Sequence, residues 1–455
     1  MRMENLKMYC AVLERPRILS VKEREIPKIG DGDILIRVAA CAICGTDEKK
    51  YFVGHKLIKS YPIVPGHEIS GEIVEVGKRV REFDVQVDGE RETRTFTEGE
   101  KVVIAPVIAC EKCVNCTEGR PESCNFREDF GFNYDGGFEE YTVIPEKLLK
   151  KKINPVISLP KGVPLYMASV SEPLACALHA HKKLVRPGRW DRKRNVYNII
   201  QGVVEGDVVV VIGGGPLGCM HAELAKSSGA GTVVIAQHSE WRLNMIKELG
   251  VADHYVLNKT TEDFVNEINS ITDGRGADVV ITAASSPIAQ IQALKIVRQG
   301  GVVSFFGGVD KDAVELPTNK IHYNGPFITG TSGASPYHIP IILRLMAEGK
   351  IDATKYITHL LGLHSLEKVL LIKGVPAFES LEGIMATHGK DYLDFLYGEN
   401  LGLEGCKTLS ERADVFKGSI LKALVIPSLP QEKGIIPLLS MSPEKRRETL
   451  INTVR

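Results

Sequence analysis

The sequence predicts an α/β chain. A β-rich region fills about the first 180 residues, and a doubly wound parallel sheet follows it. Two observations predict this. Asp33–Val38 and Gly71–Val76 alternate apolar and polar residues, as half-buried strands do. From Asp207 onward the texture changes to nearly continuous β-branched runs: Asp207–Ile212, Thr232–Ala236, Ala277–Thr282 and Gly301–Phe306. Helical patterns separate these runs, and buried strands alternating with helices imply a parallel sheet.

The bulk properties narrow the function. The 455 residues suffice for two or more domains, and 44% hydrophobic with 25% charged residues is ordinary for a soluble globular protein. Lys and Arg balance Asp and Glu at 57 each, so no net charge points to a nucleic-acid or membrane surface. No run reaches the roughly twenty apolar residues of a membrane span. With no secretory route visible, the ten cysteines read as thiols and metal ligands in the cytoplasm rather than as disulfides.

Cys110, Cys113, Cys116 and Cys124 crowd into one loop, within a lobe at about 105–130. Tight Cys-x2-Cys steps supply the four soft ligands of a closed tetrahedral zinc site. An iron–sulfur run would end Cys-x3-Cys-Pro, whereas seven residues precede Cys124 and no proline follows it. The cluster reads as structural zinc.

The run Asp207–Ile212 leads into Gly213-Gly-Gly215-Pro216-Leu217-Gly218 and a helical pattern. In that position G-x-G-x-x-G reads as a dinucleotide loop. Gly213 permits the turn, Gly215 the approach of a pyrophosphate and Gly218 close helix packing, and the helix N-terminus attracts phosphate. The next strand should end in an acid for the ribose hydroxyls of NAD, but Gln237 stands there. Lack of a carboxylate removes one barrier to a 2′-phosphate. Arg242 reads equally as its partner or as a surface arginine. The choice between NAD and NADP stays open, inclined to NADP.

Three further stretches carry potential ligands: Cys41-Ala-Ile-Cys44-Gly-Thr46-Asp47, Pro65-Gly66-His67-Glu68, and Ser171-Glu172-Pro173. Thiolate, imidazole and carboxylate from separate loops suit a catalytic zinc with one open position. Together with Gly136–Tyr141, the four-cysteine loop and the glycine loop, they occur in an order that resembles the zinc-containing medium-chain alcohol dehydrogenase superfamily, especially its sorbitol (polyol) dehydrogenase branch. The resemblance covers about residues 8–365.

The resemblance implies a β-rich GroES-like catalytic domain at 1–177, a Rossmann cofactor domain at 178–322, and a return to the catalytic domain at 323–455. It implies two Zn2+ per chain, NAD or NADP, and a homodimer or homotetramer. Cys44 and His67 would be ligands of the catalytic zinc, Glu68 a ligand or close partner, and Glu172 a ligand where liver-type relatives have cysteine. Thr46 would accept the substrate proton. Lys49 stands where many relatives end the proton relay with histidine, and it reads as a relay terminus or as an exposed lysine in a solvated turn with Lys50. Cys10, Cys41, Cys176, Cys219 and Cys406 read as core thiols, and His179 and His181 as structural.

The expected reaction is hydride transfer between NAD(P) and a secondary alcohol: a polyol, sugar alcohol or cyclitol. A sugar phosphate or a 3-hydroxy amino acid such as threonine is the alternative substrate. A non-catalytic zinc and nucleotide sensor would need a broken ligand set, and zinc-ribbon nucleic-acid binding fits poorly with zero net charge. Two segments read as insertions: Arg186–Glu205, a basic exposed loop or phosphate site, and 374–417. Residues 418–425 resemble the closing strand of the family, and the tail beyond Pro427 reads as a solvated helix.

Overall fold

The structure, a computed structural model, describes residues 6–80, 83–87, 90–374, 422–439 and 441–454. It forms two compact units, Met1–Glu172 with Ser335–Arg455, and Pro173–Ala334. The chain passes between them at Glu172/Pro173 and Ala334/Ser335, about five residues before the sequence-based border at 177/178 and about twelve after the one at 322/323.

The first unit is built on an eight-stranded sheet. Ile34–Ala42 pairs antiparallel with Glu68–Val76, Tyr141–Ile144 and Lys422–Val425. This strand is buried throughout except at Arg37, deeper than its alternating sequence implied, because neighbours cover it along its length. Register places Ala42 opposite Glu68 and Leu424 opposite Ala42. Three chain segments therefore meet at one end of the sheet: the one entering Cys44, the one leaving His67 and the one starting at Lys422.

Cys41 belongs to the core, as expected. A Cβ on Gly66 or Gly137 would lie 2.8 Å from its sulfur, so the thiol fills the space between two glycines. Cys10 and Cys219 are buried as well, Cys176 is half-buried, and Cys406 lies outside the described residues.

The second unit carries a six-stranded parallel sheet in the order His254–Leu257, Thr232–Gln237, Val208–Ile212, Ala277–Thr282, Val297–Phe305, Phe327–Gly330. Val208–Ile212 is central, and the strand order reverses beside it. In open α/β sheets such a switch point opens a crevice at the carboxyl ends of the strands.

The segment Arg186–Glu205 is ordered as a hairpin, Val185–Asp191 with Val196–Gln201. Its first cation is not available to a substrate. Arg186 is 1% exposed, its Nη2 donates to both Asp207 oxygens at 2.6 and 2.5 Å, and its Nη1 donates to Gly202 O at 2.9 Å. A buried guanidinium needs such a bidentate partner.

The tail helix Pro443–Thr453 starts on a Ser442 cap, exposes most of its residues and buries Leu450. Beyond residue 374, the insertion read at 374–417 lies outside the described residues, as do 418–421.

Candidate active site

Cys44 precedes the helix Gly45–Val53, and the carboxylate of Asp47 turns back to accept the Cys44 N–H at 3.0 Å. The same carboxylate reaches the second ligand loop, with Asp47 Oδ1 3.3 Å from His67 Nδ1. One buried side chain thus fixes both Cys44 and His67. Because His67 turns Nδ1 toward Asp47, its Nε2 is the nitrogen available to a metal. Ligand atoms of Cys44, His67 and Glu68 all lie within 4.8 Å of one another. The Thr46 hydroxyl is 3.6 Å from Cys44 Sγ.

Two buried lysines flank this set, and both escaped the sequence reading. Lys50 was expected in a solvated turn, yet it is fully buried. Its Nζ lies 3.0 Å from Asp47 Oδ1, 3.4 Å from His67 Nδ1 and 3.5 Å from the ring centre of Phe132. The spacing Asp47-x-x-Lys50 on one helix face was the available signal. Lys422 Nζ donates to Glu68 Oε1 at 2.5 Å and to Ile43 O at 2.9 Å. No local pattern announces that contact.

The electrostatics follow from burial and these partners. Burial opposes ionisation of Asp47, but Lys50 and His67 outweigh it and hold the carboxyl far below its ordinary range. Burial opposes charge on His67, and Asp47 overrides it, raising the imidazole well above its usual value. Burial pushes Glu68 up to about 7, with Lys422 lowering it and the charge of Glu172 raising it. Glu172 therefore stands near Glu68, although the close ligand set comprises Cys44, His67 and Glu68. Glu68 Oε2 is buried with no hydrogen-bond partner among the described residues, as suits an oxygen reserved for a metal. Lys49, one residue before Lys50, is exposed beside a surface depression lined by Pro16, Val53, His55 and Tyr61.

The four cysteines converge as expected. Cys113 and Cys116 sulfurs are 3.5 Å apart, and Cys110–Cys116 and Cys113–Cys124 are each 3.9 Å apart. A tetrahedron with zinc–sulfur bonds of about 2.3 Å has edges of about 3.8 Å, so the loop fits that ion. Backbone N–H groups of Cys110, Lys112, Cys113 and Phe126 point at the sulfurs. Such donors lower Cys110, and those of Cys116 and Asn125 lower Cys113 to about 6, whereas burial raises Cys116 to about 12 and also raises Cys124. Metal binding must then release protons.

In the second unit, the glycine loop has the geometry its sequence implies. Gly213 sits at φ +120°, and a Cβ on Gly218 would fall 1.8 Å from Gly213 O. Gly215 faces open space, ready for a phosphate, and caps the helix Pro216–Ser227, whose first turn holds Pro216 and Leu217. Gln237 Oε1 accepts the Gly214 N–H at 3.2 Å, so the residue replacing the usual acid braces the loop. Arg242 is half-buried, and burial lowers its pKa. His179 bonds Gly333 O at 2.9 Å, and His181 stacks on His221, both as structural residues.

Comparison with known proteins agrees with both units. Residues 30–154 match the alcohol dehydrogenase GroES-like domain, and residues 216–348 match the zinc-binding dehydrogenase family. An L-threonine 3-dehydrogenase of Pyrococcus furiosus is 33% identical over 74% of this chain and 86% of its own. An L-galactonate-5-dehydrogenase of Escherichia coli is 30% identical over 82% and 99%. The crystal structure of 2R,3R-butanediol dehydrogenase from Bacillus subtilis shares the fold, with a TM-score of 0.67 at 24% identity over 92% of this chain and all of that one. The chain belongs to the zinc-containing medium-chain alcohol dehydrogenase superfamily. It is a zinc-dependent, NAD(P)-linked alcohol dehydrogenase acting on small molecules. No helix among the described residues is long and apolar enough to cross a membrane.

Proposed function

We propose that the enzyme interconverts a secondary alcohol flanked by further hydroxyls (a polyol, sugar alcohol or cyclitol) and the matching ketone. The convergence of Cys44, His67 and Glu68, with Glu172 nearby in place of a second thiolate, carries this reading. Cys44, His67 and a carboxylate from Glu68 or Glu172 would hold the catalytic zinc. Bound there, zinc would polarise the substrate hydroxyl as a Lewis acid, with the nicotinamide as hydride acceptor. Thr46, one helical turn from solvent-facing Lys49, takes the hydroxyl proton and passes it outward past Lys49. Cys110, Cys113, Cys116 and Cys124 hold the second zinc and staple their lobe.

The threonine 3-dehydrogenase relatives favour a 3-hydroxy amino acid as the second reading. With Gln237 bracing the loop and no acid in its place, either cofactor can bind, with the balance toward NADP. Free thiols at the described cysteines fit a reducing cytoplasm. The outer strand Phe327–Gly330, with Phe327 and Ile328 exposed, favours a homodimer or homotetramer.

The test is reduced-nicotinamide absorbance with zinc-loaded protein, a panel of polyols, cyclitols, sugar phosphates and L-threonine, and NAD or NADP supplied separately. Turnover with a polyol or cyclitol that vanishes in Cys44→Ser is expected. Turnover with L-threonine alone supports the second reading. Silence across the panel, with zinc and cofactor both bound, overturns both.

A further inference from the structure

We propose that Lys50 is a positioning residue of the catalytic metal site, governing through Asp47 how strongly His67 donates to the metal. The inference rests on Cys44 and His67 holding the catalytic zinc.

The chain places two lysines in succession on one short helix and treats them differently: Lys49 is exposed and Lys50 is fully buried. Burying an ammonium is costly unless its donors and charge are matched. Here the matching groups all belong to the metal site. Lys50 Nζ sits between the Asp47 carboxylate at 3.0 Å and the face of Phe132 at 3.5 Å, with His67 Nδ1 at 3.4 Å. The Phe132 ring itself packs on His67, with ring centres 5.6 Å apart.

Asp47 divides its two oxygens. Oδ2 accepts from the Cys44 backbone, while Oδ1 serves both Lys50 and His67. The ammonium and the imidazole N–H therefore share one acceptor. A carboxylate that accepts from a metal-bound imidazole makes that ligand more basic and the metal less electrophilic. By drawing on the same oxygen, Lys50 limits this donation. The metal keeps its power to polarise a hydroxyl, and Asp47 still fixes the orientation of His67.

The experiment uses the full-length protein with Co2+ in the catalytic site and zinc retained by the four cysteines. Ligand-field and thiolate charge-transfer bands then report donor strength without turnover. Lys50→Met should keep the metal, shift the cobalt bands and lower kcat by about tenfold, with KM changed by less than about threefold. In an Asp47→Asn background, Lys50→Met should add nothing to either readout.

Bands and kcat at wild-type values in Lys50→Met overturn the proposal. So does an effect of equal size with and without the Asp47 carboxylate, and so does loss of the metal, which would assign Lys50 to holding the fold. If Lys50→Met does not fold, the charge-neutral Asp47→Asn/Lys50→Met pair is compared with Asp47→Asn alone, and differing bands overturn it. A wild-type protein inactive on every alcohol, with bands responding as expected, would overturn the dehydrogenase reading and leave the role of Lys50 standing.

Discussion

Lys422 Nζ lies 2.5 Å from Glu68 Oε1, joining residues 354 positions apart in a buried ion pair. The pair stands at the end of the central strands, and Lys422 also holds the carbonyl of Ile43, the residue before Cys44. The strand Lys422–Val425 thereby ties down the residue that leads into the ligand loop. Lys422→Met leaves Glu68 buried without its cation and should cost about 3 kcal/mol of stability. Lys422→Arg should retain most of it. Chemical denaturation of the three zinc-loaded proteins checks this.

Cys113→Ser removes the thiol most readily ionised in its cluster, lowered to about 6 by backbone donors. Bound zinc should fall from two per chain to one, measured by metal analysis. The melting temperature should drop by several degrees, because metal-binding energy in such a lobe is folding energy.

Gly218→Ala introduces a Cβ 1.8 Å from Gly213 O, a clash with backbone that no rotamer relieves. The loop must open, so affinity for NADH and NADPH should fall by about tenfold or more, read by nicotinamide fluorescence. Zinc content should be unchanged, since the change lies in the other unit.

His181 and His221 form a buried stacked pair, with His181 Nε2 3.2 Å from His221 Nδ1. Burial lowers His181 to about 4 and drives His221 well below its usual range, with His181 adding to the effect. The folded state therefore binds fewer protons than the unfolded chain between about pH 4 and pH 6.5. The stability these residues contribute is complete above about pH 6.5 and is lost as pH falls toward 4, on the order of 3 kcal/mol for His181. Thermal melts from pH 7 to pH 4 should show a steeper decline for wild type than for His181→Leu/His221→Leu.

Much of the site was legible because its pieces are local. The four-cysteine loop, the glycine loop and the segments around Cys44 and His67 each carry their chemistry within a dozen or so residues, and each keeps the implied geometry. Arg186 is the opposite case. Arg189, Arg192, Lys193 and Arg194 of the same basic segment are exposed, yet the hairpin folds Arg186 onto Asp207.

The sequence by itself determined the ligand types, the helix that Gly215 caps and the order of strands and helices, since these depend on side-chain chemistry and on periodicity over a few turns. The tertiary structure decided which charges become buried partners. Sheet register set Lys422 against Glu68, and packing of Phe132 over the helix beginning at Gly45 enclosed Lys50 with Asp47 and His67. Burial raises the energy of an unmatched charge and strengthens a matched one, and burial is a property of the assembled unit, not of any short stretch of chain.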